Sequence, residues 1–276
     1  MFRPTSPRRE RILVFGPPGS GKSTAWQSIA EWLYKTTSPG LVHVADTDLA
    51  WEGQRPDDGH LDDAVVATTV FDYESIRDFI RKTTEEFTPG DWLVVDMIDK
   101  VWLYSQQHYF EQVFGKSLED YWVEAKKMGI NPGGEYGANW SVINKLNTAI
   151  MLSIQRYPGH VLACSPATEV RQPSRTGEGG DDKEILHLFG RLGVKPEGQK
   201  LLSHHFHTNL YFQEVPRVGY TYTTVKERGT GREKITGEVV SDFARSYLIK
   251  VGGWTLAGTA SSDHAATVSE EELVSR

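Results

Sequence analysis

The chain has 276 residues, 38% of them hydrophobic and 24% charged; the length suits one α/β domain with trimmings, and the composition excludes a disordered chain. A formal net charge of −7 offers no global attraction to nucleic acid, so any such binding must come from local basic patches. The single Cys164 excludes an intramolecular disulfide and suits a reducing compartment, where its expected role is that of a small buried hydrophobe.

In chain order, residues 1–10 read as a basic arm, MFRPTSPRRE, without the apolar segment of a signal peptide. The main domain spans 11–254. Short apolar runs follow at RILVF (11–15), LVHVA (41–45), VVATTV (65–70), WLVVD (92–96) and HVLACS (160–165), then at NLYFQEV (209–215) and GYTYTTVKER (219–228). Between them Ser23–Tyr34, Glu74–Phe87 and Trp140–Arg156 carry apolar residues at helical spacing. This alternation predicts an α/β fold with a mostly parallel central sheet flanked by helices, and the last two runs predict a C-terminal antiparallel strand pair. The aromatic-rich stretch Leu103 to Met128 and the turn-rich NPGGEYGAN (131–139) interrupt the rhythm. A helical insertion over about 103–139, packed on the core, is expected there. QPSRTGEGGDD (172–182) reads as a loop and 255–276 as a disordered acidic tail. No run is long enough to span a membrane, and no membrane partner is expected.

After the first run comes GPPGSGKST (16–24), in which Gly16, Gly21, Lys22 and Ser23 match G-x-x-x-x-G-K-[ST] in full, between a strand and a helix as the motif requires. Gly16, Pro17, Pro18, Gly19, Ser20 and Gly21 form the loop, and Lys22, Ser23 and Thr24 open the helix. Its glycines let the backbone curl so that successive N–H groups and the helix N-terminus face an anion. Lys22 would reach the β and γ phosphates of ATP, and the Ser23 hydroxyl would ligate Mg²⁺. Asp96, closing WLVVD, fits the second Mg²⁺ partner; Asp99 competes for that role but lies beyond the apolar run.

Taken alone, GPPGSGKS resembles the loop of AAA+ ATPases, whose Mg²⁺ strand ends in Asp-Glu. Met97 breaks that pattern. Taken in order, GPPGSGKST, WLVVD, EYGANWSVINKLN, KPEGQKLLSHHFH, and TTVKERG followed by DFARSYLIKVGGW resemble the small RecA-like ATPases of bacteriophages, some of them linked to single-strand annealing and recombination. The resemblance covers about residues 11–254. It implies a RecA-like P-loop NTPase fold, hydrolysis of ATP with Mg²⁺, a homo-oligomer, and work in DNA recombination or replication, with single-stranded DNA as candidate partner. It places the catalytic acid on the strand after the P-loop helix, in HVADTDLAW (43–51), and so on Asp48, with Asp46 as competitor; the family's glutamate is an aspartate here. It also implies that Lys226 and Arg228, on one side of a strand, enter the neighbouring subunit's nucleotide site and stabilise charge on the γ-phosphate.

In that fold, the strand at 161–165 should lie between the P-loop strand and the 92–96 strand; direct adjacency of those two would mark the nucleotide-kinase class. A polar group after the 160–165 strand senses the γ-phosphate, with Ser165 ranked before Thr168 and Glu169. The loop 171–182, with Arg171 and Arg175, is the candidate DNA contact, opposed by its own Glu178, Asp181 and Asp182. The arm, with Arg3, Arg8, Arg9 and Arg11, is the second candidate. His204, His205 and His207 have no Cys or carboxylate at ligand spacing beside them and would alternate faces on a strand, so no metal is expected there. Two other functions stay open: a nucleotide-gated assembly or binding protein with little turnover, because Asp48 is one methylene short, and a small-molecule kinase using 171–182 as a lid. The expected location is the cytoplasm, that of the host if the chain is phage-encoded.

Overall fold

The computed structural model describes residues 9–36, 40–129, 139–172, 180–229 and 232–252. Most of the basic arm, most of 131–139, residues 173–179 of the loop and the acidic tail lie outside the described residues. In chain order the elements are β1 (Arg11–Gly16), α1 (Lys22–Lys35), β2 (Val42–Asp46), α2 (Ala50–Gln54), β3 (Val65–Thr69), α3 (Tyr73–Glu85) and β4 (Trp92–Asp96). There follow α4 (Asp99–Phe114), α5 (Leu118–Lys127), α6 (Trp140–Arg156), β5 (His160–Glu169), α7 (Lys183–Phe189), β6 (Val194–Pro196), β7 (Thr208–Val215), β8 (Gly219–Glu227) and β9 (Glu238–Val239).

Every residue of β1, β2 and β4 is buried, as strands of a parallel sheet covered on both faces must be. Successive residues alternate between the two layers. Ile12, Val14, Val42, Val44, Trp92, Val94, Leu162 and Cys164 join Trp26, Ile29 and Leu33 of α1 in one cluster. Leu13, Ala45, Leu93, Val95, Val161 and Ala163 join residues of α3, α4 and α6 in the other. Helix α3 shows why such a segment folds locally: Tyr73, Ile76, Phe79, Ile80 and Thr83 make its buried stripe, and Asp72 and Ser75 close a capping box at its start. Helices α4 and α5 form a hairpin turned at Gly115, whose φ of 65° favours glycine, and Phe110, Phe114 and Tyr121 pack across it.

The sheet order is β3-β2-β4-β5-β1-β7-β8-β9, with β6 pairing only β5. From β3 to β7 all neighbours are parallel, and β8 and β9 add antiparallel strands. The expected RecA-like order holds, with β5 between β1 and β4, and the adjacency of a nucleotide-kinase sheet is absent. Four elements among the described residues escape the periodicity: α2, α7, β6 and β9 have 5, 7, 3 and 2 residues, fewer than a repeat needs to show. β5 also runs past Ser165 to Glu169, because β6 pairs its outer half. Among the described residues no helix is long and apolar enough to cross a membrane.

Candidate nucleotide site

Strand register brings the acidic residues to the P-loop. Asp46 pairs Asp96, Asp96 pairs Cys164, and Cys164 pairs Val14, two residues before Gly16. Strand alternation then turns Asp46, Asp96 and Cys164 toward the layer that holds α1.

The loop itself is built on backbone freedom and close approach. Gly19 and Gly21 have φ of 74° and 88°, a region that L side chains avoid. A Cβ at Gly16 would collide with the Phe212 carbonyl of β7. α1 starts at Lys22 with no side-chain cap and no acidic residue in its first turn, which leaves its N–H groups and dipole for an anion. The Lys22 ammonium donates to the carbonyls of Gly16 (3.1 Å) and Pro17 (2.8 Å). Its burial lowers its pKa, opposed by Cys164, Asp96, Asp48 and Asp99. Tyr220, at the start of β8, lays its ring beside Gly21.

Asp96 is 2% exposed; its Oδ2 accepts from the indole Nε1 of Trp26 at 2.8 Å. Its Oδ1, Oδ1 of Asp99 and Oγ of Ser20 are buried with no hydrogen-bond partner among the described residues. Buried orphan oxygens of this kind are costly unless something binds them, so the donor set fits a nucleotide phosphate with its magnesium ion: Ser23 and Asp96 would hold the metal, and the loop the phosphates. The Cys164 thiol lies against the same carboxylate and 3.6 Å from the Lys22 carbonyl; burial, then Asp96, raise its pKa. Asp99, at the start of α4, is pushed up to about 6, first by burial and, against the pull of Lys100, by Glu197.

The two acids at and just after the end of β2 separate in role. Asp46 accepts from the backbone N–H groups of Ala50 and Trp51 at 3.2 and 3.1 Å, so it caps α2. Asp48 is exposed, and its pKa is raised by partial desolvation, then by Asp96 and Asp46. Leu49, the next residue, has a left-handed φ of 61°, which turns the chain sharply. Thr47 ties this turn to β4. Its hydroxyl accepts from Met97 N at 2.7 Å and lies 3.1 Å from Met97 O, and its own N–H donates to Asp96 O. The Asp96–Met97 peptide bond is cis.

Other expectations change on the structure. Lys226 and Arg228 are not presented as an exposed pair. Lys226 is buried, with Nζ donating to the carbonyls of Ser203 (2.7 Å) and Phe206 (2.8 Å), and desolvation lowers its pKa to about 8. β8 ends at Glu227, and the exposed Arg228 lies beyond it, level with His207 and Arg11 at the far end of β1 from Gly16. Ser165 has its hydroxyl 2.9 Å from the Glu197 carbonyl, at the corner where β6 begins its pairing with β5. Arg11 leaves the DNA-contact set: it is 4% exposed and its guanidinium donates to the carbonyls of Glu10, Gln155, Tyr157 and Gly159. Arg3, Arg8, Arg175 and Glu178 lie outside the described residues. The acids at the end of the loop are neutralised, Asp181 by Lys195 and Asp182 by Lys200 at 2.9 Å. Asp181, Lys195 and Lys200 border a cleft of about 300 Å³ that also takes in Arg171 and Glu197. His204 and His205 sit on a 3₁₀ turn, Leu202–His205, rather than a strand.

Sequence reasoning missed Trp26, Thr47 and Tyr220. Trp26 lies four residues after Lys22, which marks it as sharing a helix face with the P-loop lysine. Only the fold shows what its N–H meets.

No family model matches this sequence, and no curated protein matches it. Among solved structures, the crystal structure of the RadB recombinase is similar over 79% of this chain and 81% of that one, at 12% identity and a TM-score of 0.44. At that identity and score the likeness bears on neither activity nor partners.

Proposed function

We propose that this protein is a Mg²⁺-dependent ATP hydrolase of RecA-like type, acting as an oligomer in phage DNA recombination or replication. The observation that carries it is the complete P-loop between β1 and α1, facing an Asp96 whose buried Oδ1 has no partner among the described residues. The phage setting rests on the ordered motifs from GPPGSGKST to DFARSYLIKVGGW.

Each residue has a task in this reading. Backbone N–H groups of residues 19–24 cradle the phosphates, Pro17 and Pro18 having none to give, and Lys22 leaves the Gly16 and Pro17 carbonyls for the β and γ oxygens. Ser23 and Asp96 would hold Mg²⁺, which when bound would neutralise phosphate charge. Asp48 accepts the proton of the water that attacks the γ-phosphorus, as the P–O bond to ADP breaks. Asp46 holds the turn that carries Asp48. Arg228 supplies positive charge to the site of a neighbouring copy, while Lys226 braces its strand from inside. Single-stranded DNA is the partner proposed for the side of Arg171, Lys195 and Lys200.

Lys22→Ala tests the reading. The variant is expected to lose nucleotide binding and phosphate release; release at the wild-type rate would remove the assignment. A second reading, a nucleotide-gated binding protein with little turnover, is favoured by the short side chain of Asp48 and by Met97. Rapid steady-state turnover, with or without single-stranded DNA, would eliminate it.

A further inference from the structure

Trp26 and Asp96 meet where the mechanism proposed above assigns only the aspartate. Trp26 is 1% exposed and Asp96 2%. Their 2.8 Å hydrogen bond joins α1 to the end of β4. Trp26 follows Ser23 by three residues and Lys22 by four, so on the surface of α1 it is a neighbour of each. The indole ring is itself held, packing against Trp51 of α2 with centroids 5.2 Å apart. Trp51 is anchored in turn by its backbone N–H donating to Asp46 Oδ2.

We infer that Trp26 is a positioning residue for the magnesium-binding carboxylate: its N–H pins Asp96 Oδ2 and leaves Oδ1 as the oxygen that faces the metal. The inference rests on the nucleotide-site reading and adds a residue to it. An indole N–H is a donor only, so it suits a carboxylate and cannot compete for the cation. It sits on a large, stiff side chain with two torsions, buried and packed against Trp51. Asp96 has two equivalent oxygens and one rotatable bond near its end; fixing one oxygen fixes the direction of the other. Cys164 also lies against Asp96, but a thiol is a weak donor and this one is within reach of the Lys22 carbonyl as well, at 3.6 Å, so the indole is the stronger donor that sets the carboxylate. The pair Trp26–Trp51 also joins the metal site to the turn that bears Asp48, so the two halves of the site share one support.

The test follows the Mg²⁺ dependence of binding of a fluorescent ATP analogue, starting in EDTA, for wild type and Trp26→Phe. The variant is expected to bind the Mg²⁺-free analogue as wild type does, yet to need roughly tenfold more Mg²⁺ for its half-maximal response, as removal of an outer-sphere support does in metal sites. An unchanged Mg²⁺ response in a folded variant overturns the proposal, because a purely packing tryptophan would leave it alone. Absence of nucleotide binding by wild type would overturn the proposed function, and this inference with it. Should Trp26→Phe lose its native circular dichroism spectrum, Trp51→Phe protein labelled at the indole nitrogens serves instead. One indole N–H resonance should then shift when Mg²⁺ is added to the nucleotide-loaded form; no shift in any indole resonance overturns the proposal.

Discussion

Met97 stands where many ATPases carry the glutamate that activates water, and its backbone is fully occupied, N–H and carbonyl both tied to the Thr47 hydroxyl. The same clamp ties the end of β4 to the turn that holds Asp48. Between the two acids of that turn the geometry is selective: Asp46 spends its oxygens on the N–H groups of α2, whereas Asp48 is exposed with a raised pKa. Asp48→Asn is therefore expected to cut phosphate release about 100-fold or more, the usual worth of a general base, while nucleotide affinity stays within error of wild type. Single-turnover kinetics beside an equilibrium binding curve separates the two. Asp96 and Lys22 were legible in the sequence as candidates, because a P-loop and a strand ending in aspartate have their own spacing. The difference between Asp46 and Asp48 was not, because it depends on which backbone N–H groups turn back toward each carboxylate.

Among elements, the long helices and core strands announce themselves through periodicity and caps, as in the Asp72–Ser75 capping box of α3. The short pieces do not, and they set much of the site: α2 carries Trp51 and fixes Asp46, and β6 holds the carbonyl that Ser165 meets. At the opposite end of the sheet, β4 and β5 are pinned by a histidine. His160 stacks on Trp92 at 4.9 Å, and its Nδ1 accepts from the backbone N–H of Glu10 at 3.1 Å. Burial lowers its pKa from 6.5 to about 4, with Glu10 opposing and Arg11 adding to the shift. In the folded chain it therefore stays neutral where the unfolded chain binds a proton. Stability from this strand end is present above pH 6.5 and is lost as pH falls from there toward 4, by about 3 kcal/mol in full. Thermal melts of wild type against His160→Gln should converge as pH drops through that window; curves that stay parallel contradict the assignment.

At the scale of the whole molecule, the sheet order determines what can reach what. Arg228 lies level with Arg11, while the phosphate loop begins at Gly16. Five residues of strand separate those levels by about 17 Å, more than an arginine side chain spans. Arg228 can thus serve a nucleotide only in another copy of the chain. Arg228→Ala protein is expected to lose most of its phosphate release, and mixing it with Lys22→Ala protein should restore part of it, since the second variant still offers an intact Arg228 to the first. Mixtures that recover nothing, across a range of ratios, would remove the shared-site arrangement.

The sequence by itself determined the α/β class, the phosphate loop and the approximate places of the strands, since each depends on contacts or spacings within some ten to fifteen residues. It also placed Asp96, because an apolar strand closing on an acid is a local pattern. Tertiary structure decided the rest. Register across four strands set Asp46, Asp96 and Cys164 in one row beside the loop, and helix docking brought the Trp26 N–H onto Asp96. Those relations join residues from 50 to more than 100 positions apart, and side-chain chemistry alone carries no signal of which distant groups will share a layer.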